Sequence, residues 1–277
     1  MRRLLSANFA RLRRDRSFWI ILAGMFLLSL AMIFSSARSA ASMASRGYIR
    51  PLDKYYFVLA PYMGIVFAVF VSLFLGTEYS DGTMRNKLGV GHSRVDIFLA
   101  NFFTCFSACL AFDAAWFLGG VPGWFLIGPF EMGVGGFDAY LLVVIGFTAV
   151  YAAIFTWIST LSSNKAMTIL LTLGFWMLLT FLARAVNDRL CEPEMQGGMA
   201  YINGEFTMID PTANPLYLSG AVRTLFECIL DFLPTGQSIL MNDASITHPV
   251  RQIIFSILAT LLILPLGVRS FRRKDIK

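Results

Sequence analysis

Charge is scarce in this chain. Only 14% of its 277 residues are Asp, Glu, Lys or Arg, against about 25% in soluble domains, and that shortage excludes an ordinary water-soluble fold. Histidine is nearly absent: His92 and His248 are the two it has, which removes H-E-x-x-H metalloproteases and histidine-rich metal centres. No glycine is followed by lysine, so the phosphate-cradling G-x-x-x-x-G-K-[ST] loop of an ATPase is missing, and so is the G-x-S-x-G of a serine hydrolase. No repeat of fixed period is visible. Cysteine is sparse at four residues. Cys105 and Cys109 stand one helical turn apart without further Cys or His partners, and read as small packing residues rather than a zinc site.

What the chain has is apolar mass: 57% hydrophobic residues, 26 Phe and a mean hydropathy of +0.66, far too much for a disordered segment. Six stretches are free of charge. They are residues 17–37, 55–77, 97–112, 139–164, 166–183 and 252–268, of 21, 23, 16, 26, 18 and 17 residues. A spanning helix needs about 17 to 25. The third run is short, but Asp113 alone separates it from 17 further uncharged residues. The reading is an all-α membrane protein, one domain over residues 1–277, with spans at 17–37, 55–77, 97–119, 139–161, 166–183 and 252–268. The first run exceeds the about 7 to 15 apolar residues of a signal-peptide core.

Six crossings return both termini to one side. Fifteen of the 23 Lys and Arg residues fall on that side: six arginines before the first span, Arg85, Lys87 and Arg94, Lys165, and five from Arg269 to Lys277. Eight, including Arg38, Arg46, Arg50 and Lys54, fall on the other. The positive-inside rule then places the termini in the cytoplasm. Residues 1–16 carry Leu4, Leu5, Phe9 and Leu12 near one helical face and arginines elsewhere, as an interfacial helix would. The alternative is a basic tail that only sets orientation.

The most informative stretch follows the second span, from Gly76 through Thr77, Glu78, Tyr79, Ser80, Asp81, Gly82, Thr83, Met84 and Arg85 to Lys87. Asp81-Gly82 is a turn signal, and residues 78–96 are too few for a domain but enough for a short helix along the membrane. Glu78 is placed to pair with Arg85, Lys87 or a cation of a neighbouring loop. In the third span Asp113 is an intramembrane acid, a functional candidate by default. On the same helix Ser107, Ala111, Ala115 and Gly119 form a small-residue face suited to close helix packing.

The outer loop, residues 184–251, holds eight acids and two short uncharged runs, Pro211 to Val222 and Phe232 to Asn242. Runs of about 10 to 14 residues read as re-entrant or interfacial segments, with FLPTGQ (Phe232 to Gln237) supplying the turn. Cys191 and Cys228 both lie here, where an oxidising environment would allow a disulfide; free thiols are the alternative.

GTEYSDGTMR, Gly76 to Arg85, resembles the G-x-E-x-x-x-G-T-x-R pattern of the permease subunits of ABC-2 type ATP-binding cassette exporters. Six spans, a basic interfacial N-terminus, a large loop before the last span and the ending FRRKDIK are similar in order. The resemblance implies that Arg85 to Asp96 forms a coupling helix on a separate ATP-binding subunit, with Glu78, Asp81, Gly82, Thr83, Arg85, Lys87 and Arg94 as the coupling residues. It implies a dimer of permeases with two copies of that subunit, and a bacterial cell membrane location. ATP and Mg2+ would sit on the partner, with no cofactor, metal or catalytic residue here. It also implies short re-entrant helices before the last span, and a substrate path along the second and fifth spans, near Tyr62, Phe67, Phe70, Phe74, Phe175 and Trp176, with Asp113 an added candidate. Aromatics there suit a hydrophobic or amphipathic cargo such as an antimicrobial peptide, a drug or a lipid. Two other classes remain open from sequence: a non-transporting membrane scaffold, and an ion-coupled transporter, which is expected to carry charged or broken helices near the midplane.

Overall fold

The computed structural model describes residues 1–49, 51–162, 164–202 and 205–274. Arg50 and Lys277, counted above in the charge balance, lie outside them. Helix α1 (Arg2–Arg14) stops at Asp15, whose extended backbone breaks the helix and whose carboxylate then accepts from Phe18 N at 3.2 Å, capping α2 (Arg16–Ala44). The Trp19 indole donates to the Arg13 carbonyl at 2.9 Å and fixes the angle between the two. A short α3 (Asp53–Tyr56) and a 3-10 turn at Ala60–Tyr62 lead into α4 (Met63–Ser80). After Gly82 comes α5 (Thr83–Gly89) and then α6 (Arg94–Gly120), capped by Ser93, whose hydroxyl oxygen accepts from Asp96 N at 3.0 Å and whose proton goes to the Asp96 carboxylate at 2.9 Å. The chain continues through α7 (Pro122–Leu126), α8 (Gly133–Leu161), α9 (Lys165–Leu190), the antiparallel hairpin β1 (Met195–Ile202) and β2 (Glu205–Ala213), α10 (Gly220–Phe232), α11 (Pro234–Asn242) and α12 (Pro249–Arg273).

Six helical stretches are long and apolar enough to cross a membrane: Arg16–Ala44, Asp53–Ser80, Arg94–Leu126, Gly135–Leu161, Lys165–Leu190 and Pro249–Arg273. The all-α, six-span reading holds. Burial divides them into two sets. The windows of α4, α6 and α8 are 67, 56 and 61% buried by the rest of the chain, whereas those of α2, α9 and α12 are 22, 17 and 17% buried. The first three form an inner layer and the others are its outer wall, with α2 on α6, α9 on α4, and α12 along α8.

Hydrocarbon does not drive apolar helices together, so the contacts rest on close packing and on hydrogen bonds across helices. Both are present. The Ser29 hydroxyl donates to the Trp116 carbonyl at 2.7 Å, and Ser72 and Thr172 share a bond of 2.7 Å. Phe70 meets Phe112 edge to face, 5.0 Å between centroids, a geometry worth about 0.5 to 1.5 kcal/mol beyond area. The small-residue face of α6 does touch a neighbour: Ala115 and Gly119 are buried, and a Cβ at Gly119 would lie 2.5 Å from the Phe26 carbonyl oxygen of α2. On the other side of the bundle a Cβ at Gly267 would fall 2.3 Å from the Phe98 ring.

The region before α12 departs from the expected pair of runs. Pro211 to Ala213 belong to β2 rather than to a re-entrant segment, and the paired short helices are α10 and α11, hinged at Leu233 where ψ is 127°. The FLPTGQ turn is where the sequence places it. Gly236 is required there, since a Cβ would stand 2.1 Å from the Leu230 carbonyl oxygen. Helix α9 also outruns its charge-free stretch, carrying Arg184, Asp188 and Arg189 on its last turns, because charge alone does not end a helix.

Gly119→Ala should therefore wedge α2 from α6 and cost about 1 to 3 kcal/mol, the usual penalty of overpacking. Gly24→Ala, in open space on α2, should be neutral. Thermal unfolding of the two variants in detergent gives the comparison, and an unchanged midpoint for Gly119→Ala would contradict the packing.

Candidate functional site

Glu78 sits near the end of α4 with 1% of its surface exposed, and a carboxylate cannot remain ionised there without partners. Three residues from three other helices supply them, and a fourth joins two of the three. From α1, the Arg11 guanidinium reaches Oε1 at 2.6 Å. From α5, the Lys87 ammonium bonds the same oxygen. From α6, Asn101 Nδ2 donates to Oε2 at 3.1 Å. Asn8, again from α1, donates to Asn101 Oδ1 at 2.8 Å and accepts from Lys87 Nζ at 2.9 Å. Lys87, Asn8, Asn101 and Glu78 thus close a ring of four hydrogen bonds. Arg11 stands beside the ring. Its guanidinium lies 3.7 Å from the centroid of the Phe74 ring and donates to the Phe74 carbonyl at 3.3 Å. Burial outweighs the Glu78 carboxylate at Lys87 and holds its ammonium below the ordinary lysine value.

Local structure aims Lys87 inward. Gly82 adopts φ 68°, a left-handed conformation natural to glycine, and the turn is tied off by Thr83 Oγ1 donating to the Glu78 carbonyl at 3.0 Å. Helix α5 restarts with Met84 buried against Leu4, Ile97, Phe98 and Phe271, and with Leu88 packed on the same cluster. Lys87 shares that inner side. Arg85, Asn86, Gly89 and Val90 are left facing out, Val90 with 79% of its surface exposed.

The expected coupling residues divide accordingly. The short helix covers 83–89 rather than reaching Asp96, so Arg94 lies on α6, where its guanidinium bonds the carbonyl oxygens of Phe271, at 2.8 Å, and Lys274. It fastens α12 rather than forming part of the exposed helix. Glu78 pairs with Lys87 and, unforeseen, with Arg11; Arg85 is exposed and outside the ring. Asp81 is also exposed, while Gly82 and Thr83 build the turn. Asn8 and Asn101 went unread as site residues, although each is an amide on an otherwise apolar helical face, the one available signal.

The aromatic candidates separate by burial. Phe67, Phe70 and Phe74 are enclosed by the chain's own helices, at 0, 0 and 1% exposure. Asp113 is buried too, accepting from Thr148 Oγ1 at 2.9 Å, so it faces α8 inside the bundle. Tyr62 is exposed, and Phe175 and Trp176 are half-buried, the Trp176 indole lying over Gly64. Cys191 and Cys228 are free thiols, not a disulfide. Among the described residues no cluster of His, Cys, Asp and Glu could hold a metal.

Another buried carboxylate closes the opposite end. Asp231, at the end of α10, accepts from Arg251 Nε at 2.6 Å and Gln252 Nε2 at 2.6 Å, both on α12. Gln237 of α11 donates to the Asp231 carbonyl at 2.7 Å and bonds Ser256. Leu230, Leu233 and Ile239 pack the α10–α11 pair against Ala183 and Val186 of α9.

These features define a class: a polytopic helical membrane protein with a short helix seated near the start of α1 and the end of α12, a pair of short helices at the opposite end, and no catalytic constellation among the described residues. Residues 4–182 match the ABC-2 family transporter protein family, and the chain belongs to it. It is a multi-pass membrane protein, the permease component of an ABC transporter. No curated protein matches the chain.

Two measurements test the site. Glu78→Ala should lose about 3 kcal/mol, toward the lower end of the cost of breaking a buried pair because Arg11 is 30% exposed. Glu78→Ala combined with Lys87→Met, which removes one charge of each sign, should recover much of that loss, read together with the Lys87→Met single variant as the interaction energy of a double-mutant cycle. Separately, burial pushes the Lys274 ammonium down to about 8, with its proton directed at the Thr160 carbonyl, 2.8 Å away. The folded value lies below that of unfolded lysine, 10.5, so the unfolded chain holds the extra proton between the two and stability rises with pH across that window. The thermal midpoint of the native chain should climb relative to Lys274→Met from pH 8 to 10; parallel curves would refute the assignment.

Proposed function

We propose that this permease works as an ATP-driven exporter of a hydrophobic or amphipathic compound, as a dimer with two copies of a separate ATP-binding subunit. The whole chain serves as one permease domain in a bacterial cell membrane, with both termini in the cytoplasm, where 15 of its 23 Lys and Arg residues lie. The observation that carries this reading is α5. Its inner side is locked by Lys87 into the Glu78 ring, while Arg85, Asn86, Gly89 and Val90 project outward. A surface held that stiffly can pass a push from a docked protein to α1, α4 and α6 together. ATP and Mg2+ are bound by the docked subunit, and this chain binds neither.

The apolar face of α9, with Leu170, Met177, Leu178 and Phe181 exposed, and the outer end of α4 at Tyr62 provide the surface on which two permeases enclose a path. Phe67, Phe70, Phe74 and Asp113 support that path from behind. The α10–α11 pair caps its exit, held by Asp231 to α12.

Arg85→Glu should weaken association with the ATP-binding subunit about tenfold or more, the scale of a like-for-unlike charge change at an interface. It should abolish substrate-stimulated ATP hydrolysis in the purified complex while the permease stays folded in the membrane. Unchanged stimulation would overturn the role of α5. Purification from the native host without any ATP-binding subunit would move the chain to the scaffold class.

A further inference from the structure

Five basic residues gather where α6 begins and α12 ends, and they divide into two groups. Arg94 and Lys274 are engaged within the chain, Arg94 on the Phe271 and Lys274 carbonyls and Lys274 on the Thr160 carbonyl. Arg269, Arg272 and Arg273 are exposed, and among the described residues no carboxylate lies within 4.0 Å of any of them. They line a groove of about 550 Å³ together with Pro265 and Val268. Spacings of three and four residues put these positions on one side of the helix. That side continues away from the termini as Leu262, Leu261, Leu258 and Ile254, all exposed. The opposite side of α12, with Gln252, Ser256, Ala259, Gly267 and Phe271, is buried.

From Arg269 to Ile254 the apolar strip is about 22 Å long at 1.5 Å per residue, the length of an acyl chain that starts from a headgroup at the arginines. We propose that this groove binds one anionic phospholipid of the leaflet on the side of the termini, its phosphate held by Arg269, Arg272 and Arg273 and its chain lying along Leu261 and Leu258. The charge complementarity is direct: three guanidiniums with no carboxylate partner among the described residues present planar donors suited to phosphate oxygens. A free phosphate would use the arginines alone, whereas an amphiphile uses both the arginines and the apolar strip that adjoins them. Occupation would steady the end of α12, which Phe271 and Arg94 connect to the cluster beneath α5. This inference does not depend on the direction of transport or on the docked partner.

The test uses the full chain, purified in detergent and stripped of lipid, with native mass spectrometry during titration by phosphatidylglycerol or phosphatidylcholine. The native chain should retain one phosphatidylglycerol and no comparable phosphatidylcholine. Each arginine changed to glutamine should lower the affinity about fivefold, and the triple change at Arg269, Arg272 and Arg273 about a hundredfold. A control triple change at Arg2, Arg3 and Arg13, exposed cations of α1, should leave binding intact. Equal losses in both triple variants would reduce the effect to net charge and overturn the site. So would equal binding of phosphatidylcholine, or displacement of the lipid by millimolar inorganic phosphate. Should the triple variant fail to fold, Arg272→Gln alone decides the matter, a fivefold loss supporting the site and an unchanged affinity refuting it.

Discussion

One buried carboxylate organises the end of the bundle that bears the termini. Removing Glu78 from water costs several kcal/mol before any partner is counted, and no single neighbouring helix repays it. Arg11, Lys87 and Asn101 come from three different helices, and Asn8 joins two of them. Displacing α1 or α5 strips Glu78 of one of its two counter-ions and breaks the ring of hydrogen bonds in a buried place. That penalty turns four separate pieces of chain into one mechanical unit. A salt bridge on the surface, worth about 0 to 1 kcal/mol, would let α5 swing.

The opposite end follows the same logic with different parts. Asp231 binds α10 to α12 through Arg251 and Gln252, and Gln237 draws in α11. Between the two clasps the inner helices α4, α6 and α8 hold together by rings, small residues and a few hydroxyls. Such a bundle is stiff at its ends, and its outer helices expose broad apolar faces. It suits a device in which motion occurs between subunits rather than within one.

Much of this was legible in the residue order. The six spans follow from the absence of charge, which water-soluble helices rarely tolerate over such lengths, and the turn at Asp81-Gly82 marked where α5 begins. The importance of Glu78 was legible as well, because a lone acid at the end of an apolar run must find a cation. Which cation was not: the left-handed φ of Gly82 sets the rotation of α5, and that angle turns Lys87 in and Arg85 out. Facing was equally hidden in α4, which is apolar nearly all round, so nothing in its pattern separates the buried Phe67, Phe70 and Phe74 from the half-buried Ile65, Val66 and Val69. The β1–β2 hairpin was missed because its strands are interrupted by glycine and proline, which dilute a period of two.

The position of the clasp along the chain bears on how the protein is made. Asn8 and Arg11 emerge from the ribosome before Glu78, and Lys87 follows only nine residues after it. The acid is thus delivered to the insertion machinery with both counter-ions close at hand and on the same side of the membrane. Neither strand of charge has to be dragged across the bilayer to meet the other. Moving α1 to a place after α12 in the chain would leave Asn8 and Arg11 able to reach the same partners, yet Glu78 would wait for Arg11 until α12 had been made.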